Sequence, residues 1–259
     1  MIPKKIHYCW LSQDPFPELI ANCFESWKKI LPDYEFILWD TKRFPLESNQ
    51  WVMKAFETKK YAFAADYIRL YAVHKYGGIY LDTDIEVLKS FDSLLHLPYF
   101  IGSEGDGIIE AGVFGAEKGT KWLEDCLAHY NNRNFIKDDG SFDTLTLPRI
   151  MMKKILEKHT IIEIDNPMIN KISFESTKNE LFMFPKDFFC AKNHGTGIIE
   201  KTERTFSIHH FAMSWLPKKT TFFPNIKRKL ISVFGVRFIY KIIEVFRLRE
   251  LKMFLSKNK

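Results

Sequence analysis

Apolar residues fall into short runs bounded by proline, glycine and charged residues. Lys5 to Trp10 reads as a strand that ends on an aromatic residue. Pro15 and Pro17 then punctuate the chain, and Glu18 to Leu31 carries helical periodicity. Tyr34 to Trp39 reads as a second strand, so the opening order predicts a parallel βαβ unit and an α/β fold. Tyr61 to Tyr76 predicts a second helix, stopped by Gly77-Gly78. Ile79-Tyr80-Leu81 is a short strand running straight into Asp82. Further strand patterns lie at Tyr99–Ile101, Gly112–Ala116, Ile161–Ile164, Leu181–Phe184 and Thr205–His210, and helical patterns at Lys121–Asn131 and Thr144–His159.

The candidate chemistry sits where the strand ending at Leu81 delivers Asp82-Thr83-Asp84. In open α/β sheets ligands bind beyond the C-terminal ends of the strands. Two carboxylates so close repel unless a cation lies between or beside them. Mg²⁺ and Mn²⁺ accept carboxylate oxygens and bridge phosphate oxygens of a substrate. Alone, Asp-x-Asp is equally a solvated turn. The preceding helix adds weight: from Tyr61 to Val73 only Asp66 and Arg69 are charged, three residues apart on one face of an otherwise apolar helix. They read either as a buried ion pair or as groups aimed at a polar ligand.

Ser207 to Trp215 adds two histidines, a serine and a tryptophan. Alternation along a strand puts His209 and His210 on opposite faces. His210 is preferred as the one facing the site, where it could ligate a transition metal. Ser214 and Trp215 can donate to a phosphate. Trp10, at a strand end, could stack on a base, although ordinary core packing explains it as well.

Charge changes the picture at the far end. The chain of 259 residues carries a formal net charge of +6, yet Lys218 to Lys259 holds twelve Lys/Arg and two Glu, a net of +10, leaving −4 for the rest. Composition turns basic near Pro217–Pro224, which suggests a catalytic domain over 1–217 and a basic amphipathic helical tail over 218–259. Cations interleaved with aliphatic and aromatic groups suit an anionic membrane surface. The bland alternative is a helical pair packed on the domain with its cations in water. Positive charge confined to the tail, without a recognised motif, argues against nucleic acid as a partner. Four cysteines without Cys-x-x-Cys or zinc spacing, and no signal-like opening, point to reduced thiols in the cytoplasm, with peripheral attachment to the inner membrane face through the tail.

Taken together, Ile6-His7-Tyr8-Cys9-Trp10, Ser26-Trp27 with Pro32, Ala65-Asp66-Tyr67-Ile68-Arg69, Tyr76 to Asp84, His209-His210 and Ser214-Trp215 resemble the family-32 glycosyltransferases. That group has a DXD sugar-binding region, includes capsular polysaccharide synthesis enzymes, and is related to the catalytic domains of clostridial glucosylating toxins. The resemblance implies a GT-A type nucleotide-diphospho-sugar transferase fold with a mainly parallel central sheet. It implies a UDP-sugar donor, Mn²⁺ or Mg²⁺, a glycan or lipid-linked glycan acceptor, and retention at the anomeric carbon, in bacterial surface polysaccharide synthesis. On this basis Trp10 stacks on uracil, Asp66 and Arg69 hold the donor sugar, and Asp82 contacts ribose, sugar or metal-bound water. Asp84 is the main metal ligand, with His210 beside it, and Ser214 and Trp215 hold the diphosphate. Glu110, in a loop resembling one near the acceptor, receives no role. The alternatives are a metal-dependent phosphohydrolase, in which the first Asp is a nucleophile, and a non-enzymatic basic module binding membrane or nucleic acid.

Overall fold

The computed structural model describes residues 1–12, 14–164, 179–212 and 218–245. It divides into two units, Met1–Ala191 with Lys201–Ala212, and Lys192–Glu200 with Met213–Lys259. In the first, β1 (Lys5–Cys9), α1 (Glu18–Ile30) and β2 (Glu35–Trp39) form the expected unit, with β1 and β2 parallel. Helices α2 (Gln50–Glu57) and α3 (Tyr61–Tyr76) lead to β3 (Gly78–Leu81), which is parallel to β1. After the short β4 (Ile85–Val87) come β5 (Tyr99–Gly105) and β6 (Ile108–Ala116).

The central sheet has the order β2-β1-β3-β6-β5. The α/β expectation holds, but the sheet is mixed rather than mainly parallel, because β6 is antiparallel to both β3 and β5. The cause is local. Asp106 (φ 51°) and Gly107 (φ 72°) turn β5 directly back into β6 as a hairpin, so no crossover helix intervenes.

Alternation along the strands sends side chains to two cores. Ile79 and Leu81 of β3, with Ile6, Val113 and Phe100, join Trp27 of α1 on one face. Tyr80, Phe114, Ile101 and Cys9 point the other way, into a core with α2, α3, α4 (Lys121–Ala128) and α5 (Leu147–Leu156). Helix α3 is buried nearly all round, as its composition predicts. Gly77 ends it at φ 65°, where its N–H returns to Val73 O at 2.8 Å. Two small sheets complete this unit: β7 (Thr160–Glu163) parallel with β8 (Glu180–Met183), and β4 antiparallel with β9 (Ser207–His209). Helix α6 (Lys186–Phe189) brings Phe188 and Phe189 into the first core. All four cysteines are buried and none is disulfide-bonded.

The second unit contains α7 (Lys218–Phe234) and α8 (Val236–Val245), separated by Gly235 at φ 81°. Lys227 reaches the Tyr240 hydroxyl at 3.3 Å, so α8 folds back along α7. Arg228 donates to His194 O from Nε at 3.1 Å and from Nη2 at 2.6 Å, which ties in the Lys192–Glu200 segment. No helix among the described residues is long and apolar enough to cross a membrane.

Candidate active site

Asp82 follows β3 directly, and the chain turns there: Asp82 N–H donates to Gly112 O at 2.8 Å and Ile85 N–H returns to Asp82 O at 3.0 Å. The turn is anchored from α1. Trp27 Nε1–H donates to Ile85 O at 2.6 Å, and Val87 N–H donates to Ser26 Oγ at 2.9 Å. Ser26 and Trp27 are therefore parts of the site's frame, fixing the strand that begins one residue after Asp84. From the other side β9 pairs with β4 in a register that sets Ile85 opposite His209. His210 N–H donates to Asp84 O at 3.0 Å, and Ala212 N–H donates to Asp84 Oδ2 at 2.7 Å.

Asp82 is held by its neighbours. Arg69 Nη1–H donates to Asp82 Oδ2 at 3.0 Å and to Ala111 O at 3.0 Å, and the Tyr80 hydroxyl donates to Asp82 Oδ1 at 2.8 Å. Arg69 also lies over the Tyr80 ring and pairs with Asp66 Oδ1 at 3.3 Å. Both open readings of the Asp66–Arg69 pair thus have a place: it is a buried ion pair, and it is in contact with Asp82. Arg69 Nε is buried with no hydrogen-bond partner among the described residues. An orphaned guanidinium donor beside the carboxylates favours a polar ligand there.

His209, not His210, joins the two aspartates. Its Nε2 lies 3.4 Å from Asp84 Oδ1, and its Nδ1 lies 3.0 Å from Glu110 Oε2. His210 turns to the opposite face, as alternation requires, and its Nε2 meets Glu86 Oε2 at 2.8 Å. The preference for His210 is corrected because the β4–β9 register, invisible in the sequence, decides which face looks inward. Glu110 is 1% exposed and also accepts Gly112 N–H at 2.6 Å. A side chain at Gly112 would put its Cβ 2.8 Å from Glu110 Oε1 and 3.0 Å from Asp82 Oδ2. The glycine keeps the floor of the site open.

Burial and charge oppose each other throughout. Burial pushes the Asp66 carboxyl up to about 7, against the pull of Arg69. Burial would also raise Asp84, but the His209 charge, its hydrogen bond and the Ala212 N–H bring the carboxyl down to about 2. Glu110 is lowered for a similar reason: His209 and Gly112 N–H overcome burial. For His209, burial disfavours the charge, yet Glu110 and Asp84 hold the imidazole well above its ordinary value. Arg69 stays charged, since Asp82, Tyr80 and Asp66 outweigh its burial.

Trp10 follows β1, the strand beside β3 and parallel to it, so it lies at the same sheet edge as Asp82. Its Nε1–H donates to Asp14 O at 3.0 Å, and its ring meets Phe16 edge-on. Ser214 and Trp215 lie outside the described residues. Tyr80 and the Ala212 N–H carry no signal in the sequence, Glu110 is named there without a role, and His209 is passed over in favour of His210. For Glu110 a signal existed: a lone carboxylate within the apolar run Ile108–Ala116, where a charge survives burial only with partners.

Residues 17–101, which include the Asp-Thr-Asp and the helix bearing Asp66 and Arg69, match the family described as a glycosyltransferase sugar-binding region containing a DXD motif. That match identifies residues 17–101 as a glycosyltransferase sugar-binding region of the DXD type. The chain is 32% identical over 126 residues to inositol phosphoceramide mannosyltransferase 3 of Schizosaccharomyces pombe, across 47% of this chain and 35% of the relative. It is 34% identical over 105 residues to mannosyl phosphorylinositol ceramide synthase SUR1 of Saccharomyces cerevisiae, across 39% and 27%. The matches span about a third of the length of these curated relatives. Among solved structures, the PaToxG glycosyltransferase is similar over 60% of this chain and 68% of its own, with 21% identity and a TM-score of 0.46.

A divalent cation is implied by the family. The residues fit one: ligand atoms of Asp82, Asp84 and His209 lie within 4.8 Å of one another. Carboxylate oxygens with one imidazole nitrogen suit Mn²⁺. Glu110 at Nδ1 aims Nε2 of His209 at Asp84, the arrangement by which an outer carboxylate orients a ligating histidine.

Proposed function

We propose that the protein is a metal-dependent hexosyltransferase that moves a sugar from a UDP-sugar donor to a hydroxyl of a glycan or lipid-linked glycan. One observation carries this reading: Asp82, Asp84 and His209 converge beyond the C-terminal end of β3, beside a buried Arg69 with an unpaired donor. The relatives' names, which speak of mannosyl transfer to an inositol-containing ceramide, support a hexose donor and a lipid-borne acceptor. The role in bacterial surface polysaccharide synthesis belongs to the same proposal, as does a catalytic domain over 1–217 with a basic tail over 218–259.

Asp84 and His209 would hold a divalent ion, whose charge would offset the negative charge that develops on the departing diphosphate. The chain's own groups position the reactants. Asp84 is fixed by Ala212 N–H and by the β4–β9 pairing, so its carboxylate needs no reorganisation. Arg69 and Asp66 hold hydroxyls of the donor sugar, and Asp82, braced by Arg69 and Tyr80, presents its remaining lone pairs to ribose, sugar or metal-bound water. Trp10 stacks on uracil, and Ser214 and Trp215 donate to the diphosphate.

The bond from the anomeric carbon to the diphosphate oxygen breaks as the bond to the acceptor oxygen forms. The acceptor's proton passes to the leaving diphosphate, with retention of configuration. No carboxylate of the site is set up as a nucleophile: Asp66, Asp82, Asp84 and Glu110 are each engaged by Arg69, Tyr80, Ala212 or His209. The same engagement of both Asp82 oxygens weighs against the phosphohydrolase reading, which needs that first aspartate free to attack.

The test is transfer from a panel of UDP- and GDP-hexoses to lipid-linked acceptors with Mn²⁺, for wild type and Asp84→Asn. Sugar transfer by wild type that disappears in a folded variant supports the proposal. Phosphate release from simple monoesters without sugar transfer would replace it with the hydrolase.

A further inference from the structure

The second unit presents a face that its own contacts do not use. On α7, Ile226, Leu230, Val233 and Phe234 recur at helical spacing and are 40%, 41%, 68% and 56% exposed. The opposite side of the same helix is occupied: Ile231 is 2% exposed, Lys227 meets Tyr240 and Arg228 meets His194. Across the Gly235 turn, the Phe238 ring stands 5.9 Å from that of Phe234, with Val245 further along α8. Ile239, on the other side of α8, is buried. The two exposed apolar stripes therefore form one continuous patch.

Cations border the patch rather than oppose it. Lys229 is exposed beside Leu230 and Val233, and Arg237 and Lys241 are exposed around Phe238. Glu244 is the one acidic residue on α7 or α8. Apolar side chains at the centre and cations at the margin match a lipid interface, where the former enter the acyl boundary and the latter meet anionic headgroups. A protein groove would satisfy the apolar groups equally well, but not a net positive border of this kind unless it were itself acidic. Charge complementarity favours the membrane surface.

We infer that the α7–α8 hairpin docks on an anionic lipid surface through Ile226, Leu230, Val233, Phe234 and Phe238, with Lys229, Arg237 and Lys241 on the headgroups. The inference is independent of the transfer reading, because none of these residues belongs to the site.

The test is sedimentation of the full chain with vesicles of phosphatidylcholine alone and of phosphatidylcholine with phosphatidylglycerol. Wild type pellets with the anionic vesicles and far less with the neutral ones, and added salt releases it. Near an anionic surface a cation contributes about 1 kcal/mol, so the triple variant Lys229→Gln, Arg237→Gln, Lys241→Gln binds about a hundredfold more weakly. Leu230→Ser, Phe234→Ser, Phe238→Ser loses binding to both vesicle types. Both variants change exposed side chains, so they retain the wild-type melting temperature, and both retain metal-dependent donor binding. Equal pelleting with neutral and anionic vesicles, or wild-type binding by either variant, overturns the inference. A vesicle-free dimer dispersed by the serine variant would also overturn it, in favour of a second copy of the chain as the occupant.

Discussion

His7 makes the folded state sensitive to mild acid. The side chain is fully buried between β2 and the end of α3. Trp39 Nε1–H donates to its Nδ1 at 3.1 Å, and its Nε2–H donates to Gly77 O at 2.9 Å. Those two bonds use one tautomer of the neutral ring and leave no room for a second proton, which would face the indole N–H. Burial, helped by Lys5 and Arg43, takes the imidazole from 6.5 to about 4 despite the Gly77 carbonyl. Well above pH 6.5 the ring is neutral in both folded and unfolded chains, and His7 contributes no pH dependence. Below that value the unfolded chain binds the proton and the folded chain does not, so stability falls as pH falls. The offset corresponds to about 3 kcal/mol by pH 4, of which about 2 kcal/mol is lost between pH 7 and pH 5. Urea unfolding of wild type and His7→Gln across that range, in chelator, checks this. The variant is less stable at neutral pH, yet its stability falls by about 2 kcal/mol less, because the other titrating groups are common to both chains. Parallel pH profiles would refute the reasoning, as would an NMR titration in which the His7 ring protonates near 6.5.

Glu110→Gln removes the carboxylate that orients His209, and Mn²⁺ affinity measured by electron paramagnetic resonance falls by about 10- to 100-fold while the circular dichroism is unchanged. Gly112→Ala thrusts a Cβ against Glu110 and Asp82, which costs about 1 to 3 kcal/mol in denaturant unfolding and abolishes metal-dependent donor binding. Ser26→Ala leaves the Val87 N–H without its acceptor; stability falls by about 1 to 3 kcal/mol and kcat falls with it, although Ser26 touches no substrate.

The parallel half of the fold was legible because it depends on local order: a strand, a helix and a strand of matched length leave little choice of hand or neighbour. The antiparallel half was also signalled, by Asp106-Gly107, a dipeptide suited to a two-residue hairpin turn, but its glutamate-bearing neighbour disguised β6 as starting only at Gly112. Strand β4 could not be read at all. Ile85-Glu86-Val87 is three residues long and owes its conformation to β9 and to the Ser26 and Trp27 side chains.

The same division holds at the site. Asp66, Arg69, Asp82 and Asp84 stand close in the chain, on a helix and a strand joined by two glycines, so their approach was written in spacing. His209 and Glu110 come from segments ninety-nine residues apart that meet only through tertiary pairing. Alternation said that the two histidines face apart, and only the register of Ile85 with His209 says which one faces Asp84.

The most direct test of metal-dependent donor binding is calorimetric titration of UDP-hexoses, with GDP-mannose as comparison, into wild type and Asp84→Asn, with Mn²⁺ and with chelator. Wild type should bind one donor in Mn²⁺ and lose it in chelator, and the folded variant should bind none under either condition. Donor binding by Asp84→Asn equal to wild type, or binding indifferent to chelator, would contradict the role assigned to Asp84 and its cluster.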